Sequence, residues 1–310
     1  MPGSRRTHVW ICTVPELPGS RFRGALDKEK PLQLAGVINA YAAIMAEAAG
    51  FRALYLSGSG VATASYGLPD LGMTTLDNVA EDVRRITGAS ALPLLVDADT
   101  GWGGAFMIER TVTELAKAGA AGIHIEDQVQ AKRCGHRPGK QIVSTDEMCD
   151  RIKAAVGAKS YADFVVMART DAVASEGVTA AIERSMAYRD AGADMIFAEA
   201  VTTLDDYRRF QEKLGVPILA NLTEFGQTPL YTVDELRGVG VDIALYPLSA
   251  FRAANRAAEA VFRAIRQEGT QRSIVKDMQS REDLYQYLDY YSYETRLNEL
   301  FGATREEELP

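Results

Sequence analysis

The sequence is poor in the features that mark membrane, secreted and disulfide-stabilised proteins. No run among its 310 residues approaches the roughly 18 consecutive apolar residues of a membrane-spanning helix. The first residues lack the basic-then-apolar pattern of a secretory signal, so we expect a cytoplasmic protein without a membrane partner. Three cysteines, Cys12, Cys134 and Cys149, show no CxxC spacing, which argues against a disulfide framework and a structural zinc site.

Positive charge is also scarce. The chain has 34 lysines and arginines against 42 acidic residues, a net charge of −8. Because an acidic protein binds polyanions poorly, nucleic acid is not an expected partner, although a local basic patch could bind a small anion. A hydrophobic content of 47% with 25% charged residues is typical of a soluble enzyme with a large core.

Short β-rich apolar runs alternate with amphipathic helical segments from about residue 33. There are eight such runs: LQLAGVIN, ALYLSG, LPLLVDAD, GIHIED, FVVMARTD, MIFAEA, PILANL and DIALYPLS. Eight strand and helix alternations in a chain of this length predict an α/β fold, a (β/α)8 TIM-type barrel. A doubly wound open sheet is the alternative, but no GxGxxG turn favours it.

The two ends of the chain depart from this alternation. Residues 1 to about 20 carry three prolines and no periodicity, which predicts an N-terminal arm, with residues 21–310 as one barrel domain. The chain continues after the eighth strand, from about residue 250, with more apolar helix than the barrel needs. We expect these extra C-terminal helices to mediate oligomerisation.

Polar residues collect where the predicted strands end. They are Asn39, Ser57, Asp97, Asp99, His124, Glu126, Asp127, Arg169, Asp171, Glu199, Asn221 and Thr223. Because barrel enzymes place their active sites at the carboxyl ends of the strands, and because buried carboxylates are costly unless paired or metal-bound, this clustering predicts an active site there.

The Asp97-Ala-Asp99 sequence places two carboxylates on the same side of a strand end. Carboxylate oxygens without a cysteine or histidine-rich set around them suit Mg²⁺ or Mn²⁺, which keeps several waters. His124 and Glu126 on the next strand could hold those waters. The alternative is that both aspartates cap loops or pair with arginine.

The segment AKRCGHRPGK, residues 131–140, follows the fourth predicted strand and surrounds Cys134 with cationic side chains. Nearby Lys132, Arg133 and His136 should lower the pKa of the thiol, which suits it to exchange a proton with a carbon acid. The glycines and the proline predict a lid-like loop. A covalent Cys-His nucleophile is the rival hypothesis, but it gives the acidic pair no role.

Taken together, several motifs resemble one family. KRCGH, YLSGSGVA (55–62), LPDLG (68–72), LVDADTGWGG (95–104), GIHIEDQ (122–128), MARTDA (167–172), NLTEFGQTP (221–229) and YPLSAFRA (246–253) are similar to the methylisocitrate lyases of the isocitrate lyase / phosphoenolpyruvate mutase superfamily. The resemblance extends from about residue 20 to 300.

The resemblance implies a Mg²⁺-dependent barrel that cleaves (2S,3R)-2-methylisocitrate to pyruvate and succinate in the methylcitrate cycle of propionate breakdown. It also implies a homotetramer that exchanges a C-terminal helix between subunits. The substrate would be a small di- or tricarboxylate.

Residue roles follow from the same resemblance. Asp97 and Asp99 would hold the metal, with Asp70 close to its waters, and Cys134 would be the acid, assisted by Arg133 and His136. The base is Tyr55 or a hydroxide on the metal. Substrate-binding positions would be Ser57, Gly58, Ser59, Gly135, Arg169, Glu199, Asn221 and Thr223.

The substrate itself leaves alternatives. Isocitrate lyases of the superfamily usually carry KKCGH and a large insertion, whereas this chain has Arg133 and no room for the insertion, which favours the methylated substrate. Isocitrate or a dimethylmalate-like acid remains an alternative, because one methyl group is worth only about 1–3 kcal/mol of discrimination. A phosphonopyruvate-type enzyme would not need the thiol, and a non-enzymatic scaffold would not need the polar strand ends.

Overall fold

A computed structural model describes residues 16–133, 135 and 139–302 of the chain. Eight parallel strands close into a barrel in sequence order, with β8 paired to β1. The strands are β1 Leu32–Gly36, β2 Ala53–Leu56, β3 Leu94–Asp97, β4 Gly122–Glu126, β5 Val165–Thr170, β6 Met195–Ala198, β7 Ile218–Asn221 and β8 Ile243–Tyr246. The predicted (β/α)8 architecture is therefore confirmed, and each strand lies within its predicted apolar run.

Helices surround the barrel. They are α1 Pro18–Lys28, α2 Ala40–Ala48, α3 Gly58–Gly60, α4 Leu76–Ala89, α5 Ala105–Lys117, α6 Thr145–Gly157, α7 Val173–Glu176, α8 Val178–Asp190, α9 Leu204–Leu214, α10 Val233–Gly238, α11 Ser249–Glu268, α12 Arg281–Tyr287 and α13 Tyr290–Phe301. A π-helical turn covers Val61–Ser65 and a 3₁₀ helix covers Arg272–Asp277. Within the described residues, no helix is both long and apolar enough to cross a membrane.

Alternation along each strand divides the apolar residues between two cores. On β2 and β3, for example, Tyr55 and Leu95 point into the barrel, whereas Leu54 and Val96 pack against the surrounding helices. Because both faces of a parallel barrel strand are buried, its sequence is an almost continuous apolar run. This is the physical reason that the strands could be recognised in the sequence.

Helix α1 closes the amino-terminal end of the barrel. Proline at position 18 fits the first turn, where its missing N–H costs no hydrogen bond. Phe22, Ala25 and Leu26 are buried and belong to the same cluster as the inward-facing strand residues. The predicted arm of residues 1–20 therefore ends earlier than expected, because Pro18 already starts a helix, and residues 1–15 lie outside the described part.

The helices after β8 are nearly all solvent-exposed in the single chain. Each residue of α11, α12 and α13 is described, and none is buried. The exposed apolar side chains of this region include Phe262, Ile265, Tyr293, Leu297, Leu300 and Phe301. Oligomerisation through these helices, and their exchange between subunits, stays a prediction.

Replacement of Phe22 by alanine should strongly destabilise the protein. The ring is fully buried where α1 enters the barrel, so its loss leaves a cavity that costs about 3–5 kcal/mol in the free energy of unfolding. Urea unfolding followed by circular dichroism measures this, with Phe106→Ala as the control because that ring is 85% exposed. Equal stability of the two variants would show that α1 does not contribute to the barrel core.

Candidate active site

A cavity of about 90 Å³ lies at the carboxyl end of the barrel, and most of the predicted site residues line it. Those that do are Tyr55, Ser57, Ser59, Asp70, Asp97, Arg133, Gly135, Arg169, Glu199, Asn221 and Thr223. Lys132, Phe197, Pro247, Leu248 and Arg252 complete the lining. The predicted catalytic residues Cys134 and His136 lie outside the described residues.

Asp97 lines this cavity, and one oxygen of Asp97 and one of Asp99 lie close to the same point beside Gly58. The Asp97 carboxylate accepts hydrogen bonds from the backbone N–H groups of Gly58 and Asp99, each at 3.0 Å. A methyl group added to Gly58 would lie 3.1 Å from an oxygen of each aspartate, so glycine is needed for this approach. Asp99 has a φ of 48°, a left-handed conformation that aspartate tolerates better than most residues.

Lys132 supplies the positive charge nearest to the two aspartates. Its buried ammonium forms an ion pair with Asp99 and a second one, of 2.9 Å, with Asp70. Burial alone would lower the pKa of Lys132, but the surrounding carboxylates raise it well above its usual value. Lys132 therefore stays charged, and its ammonium lies with the acidic pair.

The two aspartates differ in their affinity for protons. Burial would raise the pKa of Asp97, but His124, Lys132 and Arg169 together hold it well below its usual value. Burial and the charge of Asp97 raise the pKa of Asp99 to about 7, in spite of Lys132. Asp97 is thus the carboxylate that remains ionised as the pH falls.

Tyr55 and His124 form a buried polar pair beside Asp97. The Tyr55 hydroxyl lies 2.8 Å from His124 Nε2, and the same nitrogen lies 3.5 Å from Asp97 Oδ1. Burial lowers the pKa of His124 to about 4, so the imidazole is neutral at pH 7. Burial also raises the pKa of the Tyr55 phenol well above its usual value, so the phenol keeps its proton.

Arg169 links the carboxylates on the other side of the cavity. Its Nε donates to Asp171 at 3.0 Å, its Nη2 lies 3.1 Å from Glu199, and its Nε lies 3.4 Å from Glu126. The guanidinium also lies 5.1 Å from the centre of the Phe197 ring, within the range of a cation–π interaction. One arginine therefore contacts three acidic side chains, Glu126 at the end of β4 and Asp171 and Glu199 directly after β5 and β6.

The donor set at this end fits a divalent cation. Neither oxygen of the fully buried Glu126 accepts a hydrogen bond, and burial raises the pKa of this carboxyl well above its usual value. Within the described residues no three acidic, histidine or cysteine side chains converge closely enough to chelate an ion by themselves. The carboxylate oxygens at this end are the type of ligand that Mg²⁺ prefers, and this ion is commonly held by one or two carboxylates and its own waters.

Not every polar residue at a strand end faces the cavity. Asn39 caps α2 by accepting a hydrogen bond from the Ala42 N–H at 2.8 Å. Asp127 accepts hydrogen bonds from Thr170 at 2.7 Å and from Tyr188 at 2.9 Å. These two side chains therefore stabilise the fold around the site.

Contacts made by the loop after β4 were missed by the sequence analysis. Lys132, whose place in the sequence predicts a role near the thiol, forms ion pairs with Asp70 and Asp99. Gln128 and Lys140 were given no role, yet both contact the loop backbone. Gln128 lies in the GIHIEDQ motif and Lys132 in the KRCGH motif, so the sequence marks both residues. A motif does not show which atoms these side chains contact.

Comparison with known proteins shows one family. The family model for phosphoenolpyruvate phosphomutase matches residues 22–266. A 2-methylisocitrate lyase of Escherichia coli is 61% identical over 289 residues, which cover 93% of this chain and 98% of that protein.

Solved structures extend this likeness to other reactions. A 2,3-dimethylmalate lyase is 34% identical with a TM-score of 0.85, and covers 95% of this chain and 99% of its own. An oxaloacetate acetylhydrolase in complex with 3,3-difluorooxalacetate is 32% identical with a TM-score of 0.86, and covers 93% and 98%. The barrel is therefore shared by enzymes with different named activities.

Replacement of His124 by asparagine should remove a pH-dependent part of the stability. Because the pKa of His124 is about 4 in the folded chain and about 6.5 when unfolded, the unfolded chain binds more protons between these values. The contribution is complete above pH 6.5 and is lost as the pH falls towards 4, about 3 kcal/mol in all.

Urea unfolding in EDTA at several pH values between 7.5 and 4.5 measures this effect. The free energy of unfolding should fall more steeply with decreasing pH for the unchanged protein than for His124→Asn. A constant difference between the two proteins over this range would contradict the buried, neutral state of His124.

Proposed function

The chain belongs to the phosphoenolpyruvate phosphomutase family, and on that premise we propose that it is a carbon–carbon lyase that cleaves (2S,3R)-2-methylisocitrate to pyruvate and succinate. The observation that carries the proposal is the cavity, which Asp97 and Tyr55 line together with Arg169, Asn221 and Thr223. The relative in Escherichia coli that bears the name 2-methylisocitrate lyase supports it.

The wider setting belongs to the same proposal. The enzyme would act in the methylcitrate cycle of propionate breakdown, in the cytoplasm. The exposed apolar side chains of α11 and α13 support association between subunits, and we propose that the assembly is a homotetramer.

The reaction breaks the C2–C3 bond of the substrate. The C2 hydroxyl loses its proton, the oxygen electrons form the carbonyl of pyruvate, and the electron pair of the broken bond moves to C3. There it is delocalised into the C3 carboxylate until a proton arrives and succinate forms. One proton is therefore removed at oxygen and one is supplied at carbon.

Tyr55 and His124 can accept the first proton together. A free tyrosinate is disfavoured, because burial raises the pKa of Tyr55. The phenol can take the hydroxyl proton while it passes its own proton to His124 Nε2, 2.8 Å away. For this step the proton of the neutral ring lies on Nδ1, which has no hydrogen-bond partner. Burial disfavours the imidazolium that forms, and the Asp97 carboxylate, 3.5 Å from Nε2, would stabilise it.

Mg²⁺, or Mn²⁺ in its place, would be held by Asp97 and Asp99, with Asp70, His124 and Glu126 around its waters. When bound, the ion supplies a Lewis-acid charge that makes the C2 hydroxyl more acidic and stabilises the pyruvate side. The hydrogen bonds from the backbone N–H groups of Gly58 and Asp99 orient the Asp97 carboxylate for this task.

The remaining residues bind the substrate and supply the second proton. Ser57, Gly58 and Ser59 would hold the pyruvate end. Arg169 and Arg133 would pair with the carboxylates that carry the developing charge, with Glu199, Asn221, Thr223 and Gly135 around them. Cys134 would protonate C3, with His136 beside it in the sequence.

A coupled assay with purified protein and Mg²⁺ tests the proposed reaction. Lactate dehydrogenase reports pyruvate from 2-methylisocitrate, and hydrazone formation reports glyoxylate from isocitrate. We expect rapid formation of pyruvate and little glyoxylate. The Cys134→Ser variant should be nearly inactive, with a substrate affinity within a few-fold of that of the unchanged protein. Because it is prepared in the same way, its low activity also excludes a contaminating lyase.

Other products would overturn the proposal in defined ways. Dominant glyoxylate would make the chain an isocitrate lyase. Pyruvate formed faster from 2,3-dimethylmalate would favour the activity named for the structural relative at 34% identity. Full activity of Cys134→Ser would reject the thiol as the acid.

Removal of divalent cations should stop the reaction. We expect excess EDTA to abolish turnover, added Mg²⁺ to restore it, and Asp97→Ala to stay impaired at any Mg²⁺ concentration. The control is Asp242→Ala, because Asp242 accepts a hydrogen bond from the Ile218 N–H at the other end of the barrel. Turnover that persists in EDTA would reject the metal, and full rescue of Asp97→Ala would reject this ligand.

A further inference from the structure

Two side chains at the two ends of the loop after β4, Gln128 and Lys140, hold the loop backbone at Arg133 and at Gly135. Gln128, which follows β4 and is 1% exposed, donates from Nε2 to the Arg133 carbonyl at 2.9 Å. Its Oε1 accepts from the Arg133 N–H, also at 2.9 Å. One amide side chain therefore forms hydrogen bonds with both the N–H and the carbonyl group of Arg133, as the backbone of a neighbouring β-strand would.

Lys140 holds the second point. Its Nζ donates to the Gly135 carbonyl at 2.5 Å and to Asp171 Oδ1 at 2.6 Å. The side chains of this lysine and this aspartate are 4% and 0% exposed. Because a buried ammonium needs a nearby opposite charge, Asp171 fixes where Lys140 can lie, and Lys140 in turn fixes Gly135.

Asp171 also connects this contact to the cavity. The same carboxylate accepts hydrogen bonds from Arg169 at 3.0 and 3.3 Å. Gly135 lies so close to the far end of this arginine that a methyl group added to the glycine would come within 2.7 Å of Glu199 Oε2 and would overlap the guanidinium. The lysine therefore presses the loop backbone against Arg169 and Glu199.

The base of the loop is closed independently of these two contacts. The Val129 N–H donates to the Gln141 carbonyl at 3.0 Å, and the Val143 N–H donates to the Asp127 carbonyl at 2.8 Å. These backbone bonds bring the two ends of the loop together. They do not determine how its middle lies over the cavity, which leaves that task to side chains.

We propose that Gln128 and Lys140 are positioning residues, which hold the backbone of Arg133 and Gly135 over the cavity and so set the geometry of proton delivery from this loop. The inference rests on the proposed function, because this loop carries the proposed acid. Neither residue needs to touch the substrate. Their loss should therefore lower kcat more than it raises KM.

The test uses two variants that remove the contacts in different ways. Gln128→Leu removes both hydrogen bonds to Arg133 without a change in charge, and Lys140→Met removes the ammonium and keeps much of the side-chain volume. Lys140→Arg is the conservative variant. The matched control is Lys159→Met, since Lys159 forms an equally short 2.6 Å ion pair with Asp194 at the other end of the barrel.

Limited proteolysis with subtilisin, with the cleavage sites mapped by mass spectrometry, measures the loop without any reaction. Gln128→Leu loses two hydrogen bonds to the loop backbone, and Lys140→Met loses one hydrogen bond to it and a buried ion pair, so each change should speed cleavage between residues 130 and 141 about tenfold. We expect this for Gln128→Leu and Lys140→Met, with Lys140→Arg within about threefold of the unchanged protein and Lys159→Met unchanged.

Steady-state kinetics supply the second measurement. We expect kcat to fall at least tenfold in Gln128→Leu and Lys140→Met, KM to change by less than about threefold, and Lys140→Arg to recover most of kcat. Unchanged cleavage in both variants, or faster cleavage with an unchanged kcat, would overturn the proposal. If Lys140→Met does not fold, Gln128→Leu alone decides.

The two proposals fail in different ways. If the unchanged protein cleaves none of the tested acids, the proposed function is wrong. Proteolysis still decides in that case whether the two side chains hold the loop.

Discussion

The burial of acidic side chains at one end of the barrel is the constraint on which the rest of the structure depends. Six carboxylates are buried there, from Asp97, Asp99, Glu126, Asp127, Asp171 and Glu199. Among the described residues, the buried cations that face them are Lys132, Lys140 and Arg169. Since isolated buried charges are very costly, each of these cations is paired with at least two carbonyl or carboxylate groups.

The buried acidic groups and the buried cations come from different parts of the chain. The buried acidic groups lie at the ends of strands β3 to β6 or one or two residues after them, whereas two of the three cations, Lys132 and Lys140, come from the segment after β4. The loop is therefore attracted to the barrel mouth by charge, and its own backbone is fixed there by hydrogen bonds. The buried carboxylates outnumber these cations, and burial raises the pKa values of Asp99 and Glu126.

Much of the fold could be predicted from the sequence, because strands that are buried on both faces leave long apolar runs. The place of the site followed from polar residues at the ends of those runs. The sequence could not separate Asn39, which caps a helix, from Asn221, which lines the cavity, because the difference lies in the direction of the backbone. Nor could it show that Lys132 reaches Asp70, because that contact depends on the path of a loop.

Helix α1, which closes the amino-terminal end of the barrel, limits the directions from which water can enter. Phe22 and its neighbours close the amino-terminal end, and the strands leave no seam because β8 is paired with β1. The barrel interior is thus closed at its amino-terminal end and along its sides, and it opens at its carboxyl end. A molecule bound at the carboxyl end of the barrel can therefore be reached by solvent from one direction only, so the short loop after β4 is enough to control its contact with bulk water.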